Sequence, residues 1–176
     1  LFDADPSIFD PDPNEIIVDD MDPGFRIIAL KSPGFLHTLF NGRDAAIGSR
    51  WKIEHSSVFH GKVAKQAYTK QSGNGEEEAE WKTDITIPGK YEVFVHNSSA
   101  SYRDDDGKPV YSTYIYSVTH ADGSEEIEKE MNEPEWISLG KFNFKAGTAI
   151  ITLKDKTKDQ YDDVVADAVK WVRLAD

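Results

Sequence analysis

A chain of 176 residues with no cysteine has the size of one ordinary domain, can bury a core without disulfides, and offers no thiolate for catalysis or for a zinc or iron–sulfur site. Its formal charge of −12, from 20 Lys and Arg against 32 Asp and Glu, argues against nucleic acid as a partner, because no basic block with interleaved aromatics faces a phosphate backbone. No apolar run reaches the length of a membrane span, so no membrane insertion by this region is expected.

The first residues, "LFDADPSIFDPDPNEIIVDDMD", carry eight acids before Gly24 and no base, with prolines at Pro6, Pro11 and Pro13. Like-charge repulsion and proline density oppose a packed element, so residues 1–14 read as an acidic, proline-rich arm or linker. Residues 15–176 read as a single domain, a β-sandwich by the strand pattern that follows. Because the chain starts at Leu1 without a basic-then-apolar leader, it is expected to be a processed or excised piece of a longer protein. The stretch "GFLHTLFNGRDAAIGSRWKIEH" admits either a short helix or irregular loops.

From there the chain reads as strands. "WKTDITI" alternates Trp81, Thr83, Ile85 and Ile87 before a turn at Pro88-Gly89, and "KYEVFVHN" puts Tyr91, Val93 and Val95 on one face with Phe94 opposite. After the polar "SSASYRDDDGKP" comes "VYSTYIYSVTH", in which Tyr114, Tyr116 and Val118 share a face. "ADGS" supplies a hairpin turn, and the charged "EEIEKEM" reads as a protected edge. In "EWISLGKFNF", simple alternation groups Trp136 with Phe142 and Phe144, and Ile137 with Leu139. "KAGT" turns the chain into "AIITL", and "VVADAVKWVRL" closes the domain. Many short strands, turn signals between them and no convincing long helix predict an all-β, antiparallel β-sandwich with a jelly-roll-like arrangement.

These segments together carry a resemblance. "IIVDDMDPGF", "IPGKYEVFVH", "YSVTHADGS", "WISLGKFNFKAGT" and "VVADAVKWV", in this order, resemble the golvesin C-terminal-like domain, also described as a xanthan-lyase carbohydrate-binding-domain-like module. The resemblance spans roughly residues 16–174. It implies a β-sandwich accessory module of longer, exported bacterial proteins, placed extracellularly, in the periplasm or at the cell surface. The implied partners are a polysaccharide or glycan and the other domains of a parent protein. Between residues 25 and 80 the chain departs from the family's Gly/Ser/Tyr-rich pattern, with the charged "NGEEEAEWK" in its place. That departure bears on ligand specificity more than on fold.

The candidate sites follow from residue type and placement. Strand parity groups Asp167 with Val165, Val169 and Trp171, away from Lys170. A carboxylate there must find donors, and backbone amides, a hydroxyl or an arginine such as Arg26 or Arg173 are the available kinds. A structural calcium shared by Asp19, Asp20 and Asp167 is the competing reading, should the first and last strands pair. "RDDDGK" places Asp104, Asp105 and Asp106 on a solvated loop that lacks the alternating ligands of a calcium site. The histidines form no zinc motif. His120, before the Asp-Gly turn, reads as a structural polar residue that fixes the hairpin. Ser56 and Ser98 lack the G-x-S-x-G elbow of a hydrolase, and acids are too abundant for a paired-carboxylate motif to be informative. For stacking on sugar faces, Tyr102 and Tyr161 in polar segments are preferred, with Trp51 behind them. The reading is a noncatalytic, carbohydrate-associated module that needs no cofactor. A structural domain packing on a catalytic or cell-surface partner is the alternative, and a small hydrolase or polysaccharide lyase stands behind both.

Overall fold

The computed structural model describes residues 12, 14–29, 50–61, 64–98, 102–103, 105–133, 135–158 and 162–175. Most of the acidic arm, the ambiguous stretch up to residue 49, Asp104 and Tyr161 lie outside them. Among the described residues every regular element is a β-strand, and all pairings are antiparallel.

One sheet has four strands in the order β1 (Glu15–Val18), β14 (Val169–Arg173), β6 (Gly89–Asn97) and β11 (Glu135–Phe144). The second has five, in the order β10 (Gly123–Glu130), β9 (Thr113–His120), β12 (Gly147–Thr157), β5 (Glu78–Ile85) and β2 (Phe25–Ile28). A smaller sheet joins β13 (Asp163–Ala166), β4 (Gln66–Gln71) and β3 (Lys52–His55), and β7 (Tyr102–Arg103) pairs with β8 (Pro109–Val110). The sheets form the expected sandwich, and the first and last strands are neighbours.

Period-two patterning supplies the core. Tyr91, Val93 and Val95 of β6 and Val169 and Trp171 of β14 face inward from the first sheet. Tyr114, Tyr116 and Val118 of β9, Ile151 and Leu153 of β12 and Trp81 and Ile85 of β5 meet them from the second. Each such side chain contributes on the order of 1.5–3 kcal/mol by leaving water. The edge strand β10 keeps its glutamates exposed, as its composition predicts.

Three local readings change. In β11 the alternation is broken by an irregularity between Ser138 and Gly140, where Gly140 adopts a φ of +134°. The extra residue turns the strand over. Ile137, Leu139, Phe142 and Phe144 all point into the core, and Trp136 points out with its cross-strand partner His96. Second, "VVADAVKWVRL" is not one strand. β13 pairs with β4, β14 pairs with β1 and β6, and Asp167 sits at the junction with Ala168. Buried residues run Val164, Ala166, Asp167, Ala168, Val169, so Val165 does not share the face of Asp167. Third, β5 ends at Ile85, and Ile87 lies exposed in the turn beyond it.

A buried ion network pins the small sheet to the second. Lys70 of β4 bonds Asp155 of β12 and lies 2.6 Å from Glu77. Asp155 also accepts from the backbone N–H groups of Gly75 (2.8 Å) and Glu77 (3.4 Å). Burial alone disfavours a charged Lys70, but its bonds to Asp155 and Glu77 outweigh that and raise its pKa. Gly73 permits the approach, since a Cβ there would lie 2.2 Å from an Asp155 oxygen.

Candidate functional site: a buried carboxylate hub

The junction between β13 and β14 leaves the sheet ladders, so the polar groups gathered there need other partners. Asp167 provides them. Its carboxylate, fully buried, accepts from the His60 backbone N–H (3.1 Å), from the His96 ring Nδ1–H (2.8 Å) and from the Ser98 hydroxyl (2.9 Å). Its own carbonyl accepts from the indole N–H of Trp81 at 3.2 Å. The expected backbone and hydroxyl donors are thus present. An imidazole takes the place of the arginine: Arg26 forks onto Glu80 at 2.7 and 3.2 Å instead.

β1 ends beside this hub and delivers two more acids. The ring Nδ1 of His60 lies 3.1 Å from Asp19 Oδ2, and Gln66 of β4 donates to Asp20 Oδ2 at 2.9 Å. Asp19 Oδ1 and Asp20 Oδ1 are both buried and have no donor from the protein if both groups are ionised. The two side chains are nevertheless within hydrogen-bonding reach of each other, and one proton between them satisfies both oxygens. Burial, then the hydrogen bond and charge of Asp19, push Asp20 up to about 7. Burial also pushes Asp19 upward, but bonds from His60 and Asp20 outweigh it and hold its pKa below the ordinary value.

Outside the hub stands an aromatic cluster. The rings of His60 and His96 lie 5.3 and 5.1 Å from that of Trp136 and 5.6 Å from each other. Lys170 places its ammonium 4.5 Å over Trp136 and 5.3 Å over Phe94, and pairs with Glu15 at 2.9 Å. The ring of Trp136 is therefore already engaged by a cation and two imidazoles.

The acids selected from sequence do converge, since Asp19 and Asp167 both contact His60 and Asp20 feels the charge of each. Among the described residues, no group of three or more His, Asp or Glu side chains is arranged to hold a metal ion. Ser98 donates to Asp167 rather than to a histidine nitrogen, so the bond that activates a serine nucleophile is not formed. His120 accepts from the backbone N–H of Asp122 at 3.3 Å and packs on Phe142, a contact that braces the hairpin. Tyr102 lies opposite Val110 in the β7–β8 pair. Trp51 is half-buried against the core, its indole N–H buried without an acceptor among the described residues. His60, His96 and Trp136 were not selected from sequence, although a bulge at Gly140 would have signalled that Trp136 turns outward.

Fold and site together define an antiparallel β-sandwich organised at one end by a buried polar hub. Residues 40–173 match the Golvesin C-terminal domain, and the chain belongs to that family. No curated protein gives a significant match. Among solved structures, a Paenibacillus xanthan lyase superposes with a TM-score of 0.61 at 21% identity, covering 92% of this chain and 13% of the lyase. A Podospora anserina GH26-CBM35 β-(1,4)-mannanase gives 0.45 at 10% identity, over 73% of this chain and 26% of the mannanase. The K1 cleaved adhesin domain of Lys-gingipain from Porphyromonas gingivalis gives 0.44 at 12% identity, over 92% of this chain and 99% of that domain. The chain thus spans a small part of the lyase's length.

Proposed function

We propose that this chain is a noncatalytic accessory module of an exported bacterial protein, acting extracellularly, in the periplasm or at the cell surface to attach or position its parent at a glycan. The observation that carries the reading is modular: nearly the whole sandwich corresponds to only 13% of a xanthan lyase chain. Membership of the Golvesin C-terminal domain family supports it further. The noncatalytic half of the reading is supported by the hub, where the Asp167 carboxylate accepts from Ser98 and His96 rather than facing a substrate.

The test is a panel of soluble neutral and uronate-containing polysaccharides, followed both for binding and for new chain ends. Saturable binding without cleavage is the expected result. Cleavage would overturn the noncatalytic reading. No binding to any polymer would overturn the glycan reading in favour of a packing module. That second reading draws on Ile53 of β3 and Val58 beyond it, which are 48% and 57% exposed on and near an edge strand.

A further inference from the structure

The two sheets each leave one edge open on the same side: β10 is the outer strand of the five-stranded sheet and β11 of the four-stranded sheet. Where these edges approach, a cleft of about 290 Å³ opens beside the β9–β10 turn. Leu139 and Phe142, both largely buried in the core, reach it with only a narrow apolar strip, and the rest of its lining is polar. One wall carries Asp122 and Glu125 from the hairpin, and the other carries Asn143 and Lys141 from β11, the ammonium of Lys141 lying 3.9 Å from Glu92. All four are exposed. The carboxylates of Asp122 and Glu125 and the amide of Asn143 have no side-chain hydrogen bond among the described residues.

The walls are fixed rather than loose. The N–H of Ala121 donates to the Asn143 carbonyl at 2.8 Å and the ammonium of Lys145 to the Ala121 carbonyl at 3.3 Å, tying the hairpin tip to β11 across the sheets. His120, at the cleft, accepts at Nδ1 from Asp122 N–H, which leaves Nε2 protonated as a donor. Gly140 opens the floor. With its φ of +134° a side chain is strained there, and a Cβ would press within 3.2 Å of the Phe142 ring.

The geometry points to this cleft as a binding site for one neutral pyranose unit of a polysaccharide, a conclusion that rests on the glycan-attachment reading above. The apolar strip of Leu139 and Phe142 suits a C–H edge of the ring. Carboxylate acceptors on one wall and an amide on the other suit hydroxyls at opposite edges. The volume admits one ring rather than a long stretch of chain. Two carboxylates against one lysine, on a chain of net charge −12, disfavour a uronate.

The test uses the whole 176-residue chain with soluble neutral glucans, mannans and galactans and with uronate polymers, measured by calorimetry. The variants Glu125→Ala and Asn143→Ala alter exposed side chains, and a melting curve of each confirms that the fold is kept. The surface variant Lys52→Ala serves as control. Saturable binding of a neutral polymer, weakened about tenfold or more in both cleft variants but not in the control, is the expected result. Neutral-polymer binding that both cleft variants retain in full overturns the cleft and leaves the glycan reading standing. Preference for uronate polymers overturns the ligand class, and absence of binding throughout overturns the glycan reading itself.

Discussion

Replacing Asp20 with asparagine should make the protein less sensitive to alkali. In the folded chain Asp20 holds its proton up to about pH 7, whereas its ordinary pKa is 3.8. Between those values the native state binds a proton that the unfolded chain has released, so stability is full below about 4 and falls as pH rises through about 7. A rise of about three units at ~1.36 kcal/mol each sets a ceiling of about 4 kcal/mol on the loss. The depressed pKa of Asp19 works in the other window: its stabilisation is present above its ordinary value of 3.8 and is lost only below it. It leaves pH 5–8 untouched. In Asp20→Asn the amide N–H takes over the proton's role toward the Asp19 carboxylate, and the amide oxygen still accepts from Gln66. The variant should exceed wild type by about 1–2 kcal/mol at pH 5, where part of the proton-linked stability is already lost, and by up to about 4 kcal/mol at pH 8. Urea unfolding followed by tryptophan fluorescence reads the difference, and comparing the two proteins at both pH values cancels every other titrating group. EDTA is included throughout, because a divalent cation on the two oxygens would compensate the charge as the proton does. Parallel stability of the two proteins from pH 5 to pH 8 would refute the shared proton.

The other expectations concern buried groups that lose their partners. Asp167→Ala strands the His60 amide, the His96 ring nitrogen and the Ser98 hydroxyl, and should cost about 3 kcal/mol or more in urea unfolding, with Asp167→Asn intermediate because one acceptor oxygen survives. Asp155→Ala leaves Lys70 buried with Glu77 alone, and should cost about 3–5 kcal/mol; adding Lys70→Met should recover part of that loss, since the uncompensated charge is removed.

The sandwich was legible because its inner strands obey simple alternation. Tyr91, Val93 and Val95, or Tyr114, Tyr116 and Val118, appear in sequence as they appear in the core. Legibility failed where one residue changed the phase. Gly140 reads as an ordinary weak point within a strand, yet its positive φ inserts a bulge that brings Phe142 and Phe144 to the face of Ile137 and expels Trp136. The run around Asp167 failed for another reason: its apolar residues are continuous, so nothing local marks the passage from one sheet to another. Its convergence with Asp19 followed from the pairing of first and last strands, a foreseeable neighbourhood. The donors were not foreseeable, because His60 lies 107 residues away and His96 lies 71 away.

The acid in the closing strands answers a backbone problem. When the chain leaves β13 for β14 it abandons one ladder before entering another, while the His60 segment and the end of β6 arrive at the same place with N–H and O–H groups to satisfy. An apolar residue at 167 would pack well yet leave those donors buried and unpaired. A carboxylate can accept several donors from different directions, so a single side chain holds two remote segments against its own. That use of the group commits the Ser98 hydroxyl and His96 Nδ1 to holding Asp167 in place. The side chains of Asp122, Glu125 and Asn143 in the β10–β11 cleft are exposed, and a ligand can meet them without dismantling the sandwich.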